Sequence, residues 1–284
     1  MSESQVWFIT GTSTGIGREI VLGKHAASSS QLDPSLTLAA KIKDLGEKGA
    51  YTLELDVSAS SATLAKGVEQ ALAKYGRIDV LVNNAAQIML GAIEEASEED
   101  VKRIFDTNLL GPLNLIREVL PHMRERKSGT IVNIGSIGGT IIFPGLGSYH
   151  GTKFALLGYT ETLDNEIKHL GLRAVYVELG DFRTEILDSN VKMLTTSGRI
   201  PDYHTPDSAV DFVEKRTAEL TGKQPGDPKK AGEVIVRVCS GKDPKGIPWR
   251  LVLGSDSARN SMNKFKAMIE NVEKWEDVAK SSDF

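Results

Sequence analysis

Val6-Trp-Phe-Ile-Thr-Gly-Thr-Ser-Thr-Gly-Ile-Gly17 brings a short apolar run straight into three closely spaced glycines. The run over residues 6–9 has the make-up of a strand buried on both faces. Arg18-Glu-Ile-Val-Leu22, just after it, reads as the start of a helix. A strand, a glycine-rich turn and a helix start together aim backbone N–H groups and the positive end of a helix dipole at a phosphate. Glycine allows both the tight turn and the close approach of a pyrophosphate. The spacing Gly-x-x-x-Gly-x-Gly differs from the common Gly-x-Gly-x-x-Gly, and a glycine turn alone is also ordinary loop chemistry.

Outward from that turn, strand and helix patterns alternate. Tyr51-Thr-Leu-Glu-Leu-Asp56 alternates like a strand, residues 59–75 read as a helix, and Ile78-Asp-Val-Leu-Val-Asn83 reads as a buried strand. A long helical region follows over about 98–127, with Gly111-Pro112 inside it as a kink or a second start. Thr130-Ile-Val-Asn-Ile134 is a buried strand, 148–170 a helix, Ala174-Val-Tyr-Val-Glu178 a strand and Arg250-Leu-Val-Leu253 the last strand. This order predicts an α/β fold: a single Rossmann-type, doubly wound parallel sheet with helices on both faces. Ligands in such sheets bind at the carboxyl ends of the strands.

With 284 residues and 40% hydrophobic content the chain supports one sizeable core, read as one domain over 1–284 with a C-terminal strand and helix at about 250–284. A net charge of −4 gives no reason to expect nucleic acid or an anionic membrane surface. The single cysteine, Cys239, excludes an internal disulfide framework. No basic leader precedes an apolar run, and no run reaches membrane-spanning length, so a cytoplasmic protein is expected.

Tyr149 and Lys153 stand four residues apart in the helical stretch, on one face. A phenol titrates near ~10, and an adjacent ammonium favours the phenolate and draws that value toward the working pH. Ser136, in Ile134-Gly-Ser-Ile-Gly-Gly139, offers a hydroxyl from another element to hold a substrate oxygen against the phenol. The bland alternatives are a surface tyrosine, a solvated lysine and a loop serine. The histidines, His150 included, show no metal-ligand spacing and read as structural or exposed.

Taken together, Thr10-Gly-x-x-x-Gly-Ile-Gly17, Asp56-Val57, Asn83-Asn84-Ala85-Ala86, Asn108, Ser136 and Tyr149-x-x-x-Lys153 follow the order and spacing of the classical short-chain dehydrogenases/reductases. The chain resembles that family over about residues 5–190. It looks closest to the hydroxysteroid-dehydrogenase-like oxidoreductases, partly through the tail around residues 249–256. Ala86 replaces a usual glycine, and Leu179-Gly180 stands where the family carries Pro-Gly.

The resemblance implies an NAD(P)-dependent oxidoreductase that interconverts a secondary alcohol and a ketone or aldehyde, probed best with an apolar carbonyl substrate. It implies Tyr149 as acid/base, Lys153 as its partner and holder of the nicotinamide ribose, and Ser136 on the substrate oxygen. Asn108 would support a kinked helix and a water leading to the lysine, or would simply be a buried amide satisfying backbone groups. Cofactor contacts would come from Gly11, Thr12, Gly15, Ile16, Gly17, Asp56, Val57, Asn83, Ala85, Asn108, Tyr149, Lys153 and Thr184. Asp56 would accept from the adenine amino group, although a strand-end Asp is also turn chemistry. In relatives the helices corresponding to 101–127 and 149–170 pair across a two-fold axis, which implies a homodimer or tetramer.

Residues 23–38 depart from the family, because nothing there alternates or forms a β-branched run, and Asp33-Pro34 is a turn signal. Either a poor second strand survives near 28–32, or it is absent and its neighbour has lost a pairing partner. Asp33 would suit a free ribose hydroxyl and NAD, whereas Arg18 or Lys24 would meet the 2′-phosphate of NADP. NADP is favoured by analogy with the branch. The irregular segment also supports a second reading, a dinucleotide-binding protein with weak or no turnover. A sugar-nucleotide epimerase or dehydratase of the extended family is disfavoured by the short chain after Lys153. Residues 185–227 occupy the place of a substrate lid, with Ile186, Leu187, Val191, Met193, Leu194, Ile200 and Tyr203 as apolar contact surface or as plain helix packing.

Overall fold

A computed structural model describes residues 5–27, 43–188 and 193–284. Its strands are β1 (Trp7–Ile9), β2 (Val80–Asn83), β3 (Met89–Leu90), β4 (Gly129–Ile134), β5 (Leu172–Leu179), β6 (Met193–Leu194) and β7 (Arg250–Leu253). Its helices are α1 (Gly15–Ala27), α2 (Lys43–Glu47), α3 (Ser61–Tyr75), α4 (Glu98–Phe105), α5 (Gly111–Arg126), α6 (Gly147–Ile167), α7 (Ala209–Leu220), α8 (Pro228–Cys239), α9 (Ser255–Lys274) and α10 (Glu276–Lys280).

Five strands form one parallel sheet in the order β1-β2-β4-β5-β7. The period of two sends alternate side chains to opposite faces. Trp7, Ile9, Val80, Val82, Val132, Val175 and Val177 pack against α1 and α8 on one face. Phe8, Leu81, Ile131 and Ala174 pack against α3, α5 and the end of α6 on the other. Helices thus cover both faces, and the strands are apolar on both sides, as a buried parallel sheet requires. Each fully buried Leu, Ile or Val in these layers contributes roughly 1.5–3 kcal/mol of transfer free energy.

Two expectations change. Residues 51–56 alternate like a strand but carry no strand pairing. A ladder needs a neighbour, and among the described residues the sheet ends at β1. The region read as irregular from residue 23 begins helical, because α1 runs on to Ala27. The possible strand at 28–32 and Asp33 lie outside the described residues, as does Val191. The helical region over 98–127 takes the second-start alternative at Gly111-Pro112, and what is new is the π-turn, Asp106–Leu110, that joins α4 to α5. Pro112 sits in the first turn of α5, where its missing N–H costs nothing. A Cβ on Gly111 would come within 2.4 Å of the Val57 carbonyl oxygen, so only glycine lets α5 start this close to the strand-end loop.

The expected lid is more structured than its sequence suggested. It holds a 3₁₀ turn at Glu185–Leu187, the strand β6 paired in parallel with β3, a second 3₁₀ turn at Pro201–Tyr203, and α7. Among the described residues no helix is long and apolar enough to cross a membrane.

Candidate active site

The glycine turn fixes one end of the site. Gly11 and Gly15 have φ of +66° and +59°, conformations that other residues rarely adopt. Gly17 has ordinary helical backbone, but a Cβ there would lie 2.4 Å from the Asn84 amide nitrogen. That amide donates to the carbonyls of Thr10 (3.0 Å) and Gly11 (2.7 Å), so the loop after β2 locks the turn after β1. The Thr10 hydroxyl accepts from the backbone N–H of Asn84 and Ala85. Because α1 starts at Gly15, its unpaired N-terminal N–H groups fall at this turn.

At the carboxyl ends of the strands lies a cavity of about 710 Å³. Small-molecule sites span roughly 300–1,000 Å³. Gly11, Gly15, Ile16, Asp56, Val57, Ala85, Ser136, Tyr149, Lys153 and Thr184 line it together. Thr12, Gly17, Asn83 and Asn108 stand behind its wall. Asn83 donates to Asn133 (2.9 Å), which donates to Thr160 (2.9 Å), a buried chain tying β2, β4 and α6. Asn108 accepts from the Gln87 N–H (2.7 Å) and donates to the Gln87 carbonyl (2.8 Å) and the Thr152 hydroxyl (3.2 Å). The π-turn thus places an amide where it joins the loop after β2 to the helix carrying Tyr149. Asp56 caps a turn by accepting from the Ser58 N–H and hydroxyl, and it also lines the cavity.

One part of the cavity is the glycine turn beside the start of α1, and another is apolar with a few titratable groups. Arg18 is engaged with Asp44. The Lys24 ammonium lies over the Trp7 ring, 5.5 Å from its centroid, and is buried. Neither lines the cavity.

Tyr149, Ser136 and Lys153 meet at the other end. Tyr149 is buried at the cavity wall, and its phenol is hydrogen-bonded to Ser136. The Ser136 hydroxyl accepts from the Gly138 N–H at 3.0 Å. Lys153 donates from Nζ to the Ile134 carbonyl at 2.9 Å, with Nζ 5.8 Å from the Tyr149 ring centroid. Burial pushes the lysine down from 10.5 to about 8, so it is still an ammonium at neutral pH. The sequence predicts a phenol pulled down by this ammonium. Instead burial pushes the phenol up, and Asp181 adds to the rise while the Ser136 hydrogen bond opposes it. The physical reason is desolvation: a buried phenolate loses more solvation than one hydrogen bond returns.

Several site residues carry no signal in the sequence. Tyr176 on β5 is fully buried, and its hydroxyl donates to the Ser136 carbonyl and accepts from the Ser136 N–H, both at 3.1 Å. A Cβ on Gly135 would lie 2.0 Å from the Tyr176 ring, so the glycines around Ser136 make room for this clamp. Asp181, Arg216 and Gln224 also line the cavity, and only the lid's approximate position hinted at the last two.

His150 is structural. Its Nε2 accepts from the Phe143 N–H at 2.8 Å, which leaves Nδ1–H to donate to the Gly138 carbonyl at 2.7 Å. Burial lowers its pKa from 6.5. As pH falls below 6.5 the unfolded chain takes up a proton that the folded ring refuses, so folding stability should drop, by at most about 1.4 kcal/mol per pH unit. Urea midpoints from pH 8 to 5 should show this slope in the wild type and a shallower one in His150→Gln; equal slopes would contradict the assignment.

A family model described as short chain dehydrogenase matches residues 5–195. A 3-ketodihydrosphingosine reductase of Bacteroides thetaiotaomicron is 33% identical, over 89% of this chain and 88% of the relative. A solved short-chain dehydrogenase from Streptomyces avermitilis superposes with a TM-score of 0.87 at 32% identity, each chain covered in full. A serine dehydrogenase solved with NADP+ superposes with a TM-score of 0.71 at 25% identity, over 88% of this chain and 94% of that one.

Proposed function

Because this chain belongs to the short-chain dehydrogenase family, and so is an oxidoreductase acting on CH–OH or carbonyl groups, we propose that it reduces an apolar ketone with a nicotinamide dinucleotide. The observation that carries this reading is Tyr149, Ser136 and Lys153 lining one cavity with the glycine turn.

When bound, the nicotinamide supplies or accepts the hydride. Ser136 and Tyr149 hold the substrate oxygen between two hydroxyls. A phenol kept protonated by burial holds the proton that a carbonyl oxygen takes up on reduction. Lys153, anchored on the Ile134 carbonyl, supplies a positive charge beside the phenol and balances the phenolate as the proton leaves. Asn108 acts as a positioning residue through Gln87 and Thr152. Ile88, Phe143, Leu146, Ile186, Leu187 and Val213 give the substrate end an apolar wall. A ketone reductase among the relatives is in keeping with that.

In this reading residues 1–284 act as one domain, 185–227 as the substrate lid, and the chain works as a homodimer or tetramer. NADP is the preferred cofactor, by analogy with the serine dehydrogenase solved with NADP+. The second reading, binding with little turnover, draws on the irregular sequence of residues 23–38. Fluorescence titration with NADPH and NADH tests both. Saturable binding, tighter for NADPH, together with turnover on a carbonyl panel supports the reductase. Binding without turnover supports the second reading, and binding of neither overturns both.

A further inference from the structure

The C-terminal helix α9 offers an apolar face that, beyond Phe265, none of the described residues covers. Ser257 and Ser261 in its first turns donate to the buried Glu178 at 2.9 and 2.5 Å, and Phe265 packs under Arg250 at 5.0 Å. The helix is thereby fixed to the body at its start. Beyond it, Met262 (57% exposed), Phe265 (40%), Ile269 (57%) and Val272 (67%) repeat at alternating spacings of three and four, with Met268 and Trp275 exposed along one flank. That is the seam pattern of a two-helix coiled coil.

The charges identify the occupant. Residues 257–267 carry Arg259, Lys264 and Lys266 and no acid, whereas residues 268–278 carry Glu270, Glu273, Glu276 and Asp277 against one Lys274. A parallel copy would set like charge against like, and an anionic membrane would repel the acidic half. An antiparallel copy matches each half to its opposite twice, as a two-fold interface does. We infer that α9 pairs antiparallel with α9 of a second copy of this chain, burying the Met262–Val272 seam. This surface is separate from helices α5 and α6.

Sedimentation velocity on the full chain tests it. The wild type should associate, and Ile269→Glu should halve the mass without changing the circular dichroism spectrum; Val272→Glu serves as a second break. A monomeric wild type, an Ile269→Glu of unchanged mass, or monomers that float with phosphatidylcholine/phosphatidylserine vesicles would each overturn the inference.

A second, independent observation concerns Gln224. Its side chain is fully buried and lines the cavity, yet neither its amide oxygen nor its amide nitrogen has a partner. Orphaned buried polar atoms are rare and costly. The segment is held firmly beside the site: its carbonyl accepts from Arg183 Nε and Nη2, and Gly226 bridges Phe182. In this parallel bridge Gln224 falls level with Gly180, which lines the same cavity. An amide with both a donor and an acceptor free is satisfied by a group that offers both side by side, namely a primary carboxamide; a phosphate would leave the oxygen unpaired. Resting on the dinucleotide reading above, the geometry points to Gln224 as the residue that pairs with the nicotinamide carboxamide.

The test compares NADPH with 2′-phospho-ADP-ribose, which lacks the nicotinamide, by calorimetric titration. Gln224→Met should weaken NADPH by about tenfold and leave the fragment unchanged, and the unliganded variant should melt no lower than the wild type. Gln224→Leu is the second variant should the first fail to fold. Equal affinity for NADPH in wild type and variant, or equal losses for both ligands, overturns the inference. Failure of the wild type to bind either ligand instead overturns the dinucleotide reading itself.

Discussion

Replacing Tyr149 by Phe is expected to cut turnover by about 10²- to 10⁴-fold, the usual worth of one positioned proton donor, while the variant still binds the dinucleotide. The phenol lies at the cavity wall against Ser136, and its ring packs beside His150 (centroids 6.0 Å apart), so removing one oxygen leaves the packing in place. Steady-state rates on a carbonyl substrate and a parallel NADPH titration separate the two effects. A variant retaining most of its activity would remove Tyr149 from the mechanism. Lys153→Met should also slow turnover, and it should weaken the dinucleotide as well if its ammonium reaches the ribose.

Glu178→Ala should lower folding stability by about 3–5 kcal/mol, the cost of opening a buried ion pair. Glu178 is fully buried on β5 and is the hub of the C-terminal layer. It pairs with Arg250 of β7 and accepts from Thr140 (2.7 Å), Ser257 and Ser261. Its loss strands four polar partners at once, on the turn after β4, on β7 and on α9. Urea unfolding measures the effect. A shift under about 1 kcal/mol would mean that the hub can be replaced by neighbours or solvent. Glu178→Gln keeps shape and one acceptor, and should fall between.

Much of this architecture is written locally. Residues 6–9, 78–83, 130–134 and 174–178 are apolar on both faces, and a buried parallel strand has no other signature, so their assignment needed no partner to be known. The glycine turn is equally local, because the positive φ at Gly11 and Gly15 belongs to those residues alone. The Tyr149–Lys153 spacing on α6 and the cavity-lining Ser136 were legible for the same reason: four residues along a helix is a fixed geometry.

Non-local features were hidden. Residues 51–56 have the right alternation but carry no strand pairing among the described residues, and no local pattern reports a neighbour. Asn108 looks like an indifferent helix residue until the π-turn sets it against Gln87 and Thr152. The phenol's upward shift comes from burial among residues distant in sequence, such as Ile88, Ile104 and Ile186. Glu178 and Gln224 draw their roles entirely from what packs over them. The α8 start, by contrast, was readable and missed: Asp227 accepts from the N–H of Lys229 and Lys230 ahead of the first-turn Pro228.

The central claim is that the phenol and the dinucleotide serve one reacting carbon in one cavity. Its most direct test is deuteride transfer from NADPH labelled at C4 of the nicotinamide to members of a ketone panel, read by mass spectrometry of the alcohols. The account predicts one deuterium on the carbinol carbon, formed by the wild type and not by Tyr149→Phe. Dinucleotide binding with no label appearing in any alcohol would contradict it.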